Sequence, residues 1–192
     1  MYWFNKAFSA YGRETAKGDP MSGNSEKKTN RTAQLGLLLA VAVMLGYVEA
    51  IVPISAGIPG VKAGLANCAV LFVLYRYGAK EAAAISLLRT VIIAGLFTNV
   101  SMLLYSLAGA MCSIAVMKIA KKGPFSVYGV SMAGGVTHNL AQVIVAFCVL
   151  GGIQTGNWWF TVYLPVLMVC GMLAGAVNAM IAGTILERVK TY

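Results

Sequence analysis

The sequence predicts an all-α, polytopic membrane protein with six transmembrane helices and both termini on the cytoplasmic side. Composition is the first reason: of 192 residues, 59% are hydrophobic and 11% charged, with a mean hydropathy of +0.76, whereas a soluble domain carries roughly 25% charged residues. The second is a succession of six apolar runs, at about 32–52, 64–77, 80–97, 100–117, 125–150 and 158–186, in a chain where a spanning helix needs about 20 apolar residues. The third is charge placement. Lys and Arg gather at every second gap between runs, and short basic segments stay on the cytoplasmic side during insertion.

Taken in order, residues 1–31 are polar and carry Gly18, Pro20, Gly23 and the basic run Lys27, Lys28, Arg31, which predicts a disordered cytoplasmic tail. A cleaved signal peptide is not expected, because the first apolar run begins only at Thr32 and no small-residue cleavage site follows it. Both Met1 and Met21 fit as a start, since Met21 opens its own short basic leader. The transmembrane domain is expected over 32–188 and a second short cytoplasmic tail over 189–192. With the first tail inside, Arg76 and Lys80 fill the second gap, Lys118, Lys121 and Lys122 the fourth, and Arg188 and Lys190 the end, leaving only Lys62 in the outer gaps. The second run is short, the fifth and sixth long. The outer segment 53–62 holds two prolines and two glycines in ten residues, so a loop over the outer mouth of the bundle is expected.

Small residues recur four apart in Gly36-x-x-x-Ala40, Ser106-x-x-x-Ala110, Gly109-x-x-x-Ser113 and Gly171-x-x-x-Gly175-x-x-x-Ala179. Such spacing lets helix backbones approach closely in lipid, where no hydrophobic effect drives helices together. The formal charge of +9 does not signal nucleic acid, because thirteen of the fifteen basic residues fall in tails or cytoplasmic gaps, where anionic lipid accounts for them. Cys68, Cys112, Cys148 and Cys170 lie singly within apolar runs and read as packing residues. The only aspartate is Asp19, in the tail, so there is no Asp-rich diphosphate motif, and no phosphate-binding Gly-Lys-Ser/Thr loop occurs. A single histidine without paired cysteines argues against haem or zinc. A protein that is not an enzyme and carries no cofactor is expected.

An ionisable side chain at membrane depth costs about 2.5–3.5 kcal/mol on insertion scales and is a functional candidate by default. At about 1.5 Å per residue from the cytoplasmic helix ends, Arg89 lies roughly 13 Å and His138 roughly 18 Å into the bilayer. His138, Asn139 and Gln142 form one polar stripe at helical spacing. Asn67 and Tyr105 fall in the outer third, Glu49 in the outer half. With Lys62, these residues are expected to surround a solute pocket open to the outside. Two structural readings stand beside this one: His138 and its amides tying helices together, and Arg89 pairing with Glu49.

Tyr47-Val-Glu49-Ala-Ile-Val-Pro53, Pro59-Gly-Val-Lys62-Ala-Gly64-Leu-Ala-Asn67, Ser86-Leu-Leu-Arg89, Leu104-Tyr105-Ser106-Leu-Ala-Gly109 and Gly134-Gly-Val-Thr-His138-Asn139-Leu-Ala-Gln142 closely resemble the bacterial Gx transporter family, often labelled heptaprenyl diphosphate synthase component I. The resemblance covers about residues 32–188. This chain has Ala141 where the family usually has glycine before the glutamine.

That family is similar to the six-helix, substrate-binding S components of energy-coupling factor (ECF) transporters. The resemblance implies an S-component-like bundle in the bacterial cytoplasmic membrane that captures a small anionic or polar solute from outside. It further implies docking, through small residues of the first helix, on a transmembrane coupling subunit with two ATPases, and Gly36 and Ala40 match that pattern. The alternatives are a non-catalytic membrane component of prenyl diphosphate or menaquinone synthesis, and one of quinone- and flavin-linked extracellular electron transfer.

Overall fold

The computed structural model describes residues 20–51, 64–97, 100–149 and 159–190. The described residues form six α-helices: α1 (Pro20–Ile51), α2 (Leu65–Arg76), α3 (Ala79–Phe97), α4 (Val100–Ala120), α5 (Val127–Val149) and α6 (Leu164–Lys190), the last preceded by a π-helical turn, Trp159–Tyr163. The chain divides between Leu37 and Leu38 into two compact units. The first contains the N-terminal part of α1; the second contains the remainder of α1 and all the other helices.

The helix ends follow the apolar runs closely except at α1, which starts at Pro20 and not at Thr32, and at α6, which runs over Leu164–Lys190 against an expected 158–186. Residues 20–31, expected within a disordered tail, are helical. Proline suits a first helical turn because it lacks the N–H that would go unbonded there, and extending an existing helix adds one hydrogen bond per residue without a new nucleation cost. Residues 1–19, the proline- and glycine-rich segment 53–62 and residues 191–192 lie outside the described residues.

Four helical segments are long and apolar enough to cross a bilayer: Lys28–Ile51, Leu103–Ala120, Val127–Val149 and Thr161–Val189. Their surroundings are those of a lipid-solvated protein. Large apolar side chains such as Leu96, Ile119 and Leu173 stand exposed, while Ser86, Thr90, Ser113, Ser131 and Asn178 are buried, the reverse of the arrangement that water imposes. Buried hydroxyls find partners within their own helix: Thr90 donates to the Ser86 carbonyl at 2.7 Å. The protein is therefore a multi-pass membrane protein. Two of the six expected spans do not qualify alone. α2 has 12 residues, a length of about 18 Å against about 30 Å of hydrocarbon, and α3 carries Lys80, Glu81 and Arg89 within its 19 residues.

α2 tolerates its length because it is the most enclosed helix. Ala66, Cys68, Ala69, Val70, Leu71, Val73 and Leu74 are all buried, as expected of a helix apolar on every side. It packs on α3 and α6, α3 packs on α4, and α5 lies between α4 and α6. α2 turns into α3 through Tyr77 and Gly78. Beside that turn, Lys121 Nζ donates to the Leu74 carbonyl at 2.8 Å and sits 4.7 Å from the centre of the Tyr75 ring. A cation at a helix C-terminus is favourably placed against the carbonyls left free there.

The tightest helix contact joins α5 and α6. A Cβ added at Gly135 would lie 2.2 Å from the Gly171 carbonyl oxygen, and one at Gly175 would lie 2.7 Å from the Ser131 oxygen. The Gly171/Gly175/Ala179 stripe is thus consumed in packing inside the bundle, with Ala179 fully buried. Gly36 has no such neighbour within 4 Å. Gly135→Ala should accordingly lower the stability of detergent-solubilised protein by about 1–3 kcal/mol or more, whereas Gly36→Ala should leave thermal melting unchanged or slightly raised.

Candidate functional site

All six helices contribute to one partly open cavity of about 150 Å³. Glu49 of α1, Asn67 of α2, Arg89 of α3 and the α5 residues His138, Asn139 and Gln142 line it. Arg89 and His138 therefore face a common void. Tyr105 does not line the cavity; its neighbour Ser106 does, because one residue along a helix of 3.6 residues per turn rotates the side chain by about 100°. Lys62 lies outside the described residues.

The cavity's two opposite charges each bond to a neutral neighbour, while the Glu49 charge still acts on the Arg89 guanidinium. Glu49 Oε1 accepts the backbone N–H of Gly64, the residue that precedes α2 and adopts a left-handed conformation (φ 71°, ψ 21°). Glycine adopts that conformation without the steric cost a Cβ would bring. The carboxylate consequently sits at the N-terminus of α2, where free amides and the helix dipole favour negative charge. Arg89 Nη2 donates to Asn67 Oδ1 at 3.3 Å, and its Nε is buried with no hydrogen-bond partner among the described residues. The expected alternative of a direct Arg89–Glu49 ion pair is not what the geometry shows: each charge is bonded to a neutral neighbour.

On α5 the polar stripe does two things. Asn139 Nδ2 donates to the Leu167 carbonyl at 2.6 Å, tying α5 to α6 where their backbones are closest. His138 and Gln142 lie against α4, where a Cβ at Gly109 would come within 3.0 Å of the imidazole and of Gln142 Cγ. Asn139 thus takes the tying role that was the structural reading of the stripe, and it lines the cavity as well.

Further lining residues escaped the sequence reading: Gly64, Thr90, Ser106, Ser113, Ser131 and Asn178. Asn178 matters most, being only 3% exposed with its Oδ1 unpartnered among the described residues. A signal for it existed. Residues 171, 175 and 178 follow i, i+4, i+7 and share a helix face, so the glycine stripe pointed toward it. Among the described residues the lining offers donors, acceptors and the charges of Arg89 and Glu49. That is an arrangement for binding a polar solute. Among the described residues no group of three His, Cys, Asp or Glu side chains is placed to hold a metal ion. Gly36 and Ala40 are exposed on α1 and take no part in the cavity.

Asn139→Ala should cost about 0.5–1.5 kcal/mol, the net worth of one hydrogen bond. Asn139→Asp should cost more, since it turns an oxygen toward the Leu167 carbonyl. Thermal melting of the two variants side by side checks the order.

The family model for heptaprenyl diphosphate synthase component I matches residues 38–185. No curated protein and no solved structure matches the chain. The matched stretch begins with the second compact unit and includes every described residue that lines the cavity. The chain belongs to the heptaprenyl diphosphate synthase component I family.

Proposed function

We propose that this protein is a non-catalytic, membrane-embedded solute-binding subunit of a bacterial uptake transporter, similar to the S components of energy-coupling factor systems. The observation that carries the proposal is the polar cavity, in which Arg89 Nε and Asn178 Oδ1 are buried without hydrogen-bond partners among the described residues. An unsatisfied buried polar group costs about 1–3 kcal/mol, more when charged, so two around one void are accounted for by a ligand that supplies the missing bonds. α2 and α3 join the four long helices as spans in this reading, α2 being shielded from lipid by its neighbours. Both termini lie in the cytoplasm, which puts the exposed Arg76, Lys80, Lys118 and Lys122 on the inside of the bacterial cytoplasmic membrane.

The solute is small and polar or anionic. It reaches the cavity from outside, Arg89 attracts it, and His138, Asn139 and Gln142 orient it. Energy comes from a transmembrane coupling subunit with two ATPases, docked on α1 at Gly36 and Ala40, whose surface is open. A cavity of about 150 Å³ weighs against the polyprenyl and quinone alternatives, because sites for drug-sized ligands run to about 300–1,000 Å³.

In cells or proteoliposomes that carry the coupling module, Arg89→Ala and His138→Ala should each lower uptake at sub-saturating solute by about tenfold or more; unchanged uptake in both rejects this site. Leucine at Gly36 and Ala40 should abolish copurification of the coupling subunit and leave thermal melting as it was. Retained copurification rejects the docking face.

A further inference from the structure

Resting on the solute-binding reading above, we infer that the cavity selects a small zwitterion, with a carboxylate directed to Arg89 and an ammonium group directed to Glu49. The two charged side chains come first. In a low-dielectric interior a guanidinium and a carboxylate attract strongly and tend to close on one another. Here they do not close, for Gly64 holds Glu49 and Asn67 holds Arg89. Each charge is steadied on one side by a neutral group.

The unpartnered atoms then sort by kind. Arg89 Nε is a donor, and Asn178 Oδ1 is an acceptor. Gly64, which bonds Glu49, borders both amides, since a Cβ there would lie 3.2 Å from the Asn178 nitrogen and 3.6 Å from that of Asn67. Glu49 on α1 thus offers the acceptor charge of the cavity and Arg89 on α3 the donor charge.

Charge balance completes the argument. The described lining carries one guanidinium and one carboxylate, so a zwitterion adds no net charge to the site. A bare anion would add an uncompensated buried charge, which is costly, and would face Glu49. Size agrees, since a void near 150 Å³ holds a molecule of about benzene's size. Small amino acids meet these requirements and flavins do not.

The test uses the full-length protein in mild detergent, with thermal melting and calorimetry against three probes of similar size: L-alanine, propionate and ethylamine. L-Alanine should raise the melting temperature while propionate and ethylamine do not. Glu49→Gln should weaken alanine binding by about tenfold or more and allow propionate to bind. Should that variant fail to fold, the wild-type probe series decides alone. Propionate binding as tightly as alanine, or binding without it, overturns this inference and leaves a solute-binding subunit standing. Silence of all three probes overturns this inference as well, and the uptake experiment on Arg89→Ala and His138→Ala then decides the solute-binding reading.

Discussion

The approach of the α5 and α6 backbones at Gly135 and Gly171 governs the geometry of the site. No side chain separates the two helices there, and only at that distance does the Asn139 amide reach the Leu167 carbonyl at 2.6 Å. With Asn139 committed to α6, the helical turn carries His138 and Gln142 toward α4, where Gly109 leaves room for them. The polar stripe therefore occupies the cavity wall because a glycine contact determines how α5 is rotated about its axis.

Lipid as solvent explains why a polar void lies at the centre of so apolar a chain. Outward faces need only be apolar, and exposed Leu, Ile, Val and Met satisfy this without specific partners. Polar side chains have no such freedom, since hydrocarbon offers no hydrogen bonds and each unsatisfied group costs several kcal/mol. They turn inward and either bond to their own helix, as Thr90 does, or meet across the interior, as Arg89 and Asn67 do. Their convergence is thus enforced in part by the surroundings. What the surroundings do not explain is the residue of unmet valence at Arg89 and Asn178.

Much of this was legible in the amino-acid order because the bilayer imposes a strong length and polarity rule. The run boundaries predicted for α2, α3 and α5 lie within two residues of the observed ends, and the rare ionisable residues marked the cavity. Legibility failed where rotation about a helix axis decides. Tyr105 does not line the cavity, and its neighbour Ser106 does. Asn178 passed unnoticed because it is uncharged and sits among small packing residues. The direct Glu49–Arg89 pair was a reasonable reading of two opposite charges at membrane depth. A left-handed glycine that competes for the carboxylate is a backbone feature, and side-chain type alone does not disclose it.

α2 illustrates how a helix too short to reach both surfaces keeps its place. At its amino end the Glu49 carboxylate meets the Gly64 amide; at its carboxyl end the Lys121 ammonium meets the Leu74 carbonyl. An anion at one tip and a cation at the other match the polarity of the peptide dipoles between them. Reversing the helix would set like against like at both tips, and sliding it by a single turn, about 5.4 Å, would detach both. The axial register of the bundle's innermost segment is thereby locked from two directions by electrostatic anchors, one on α1 and one in the turn after α4.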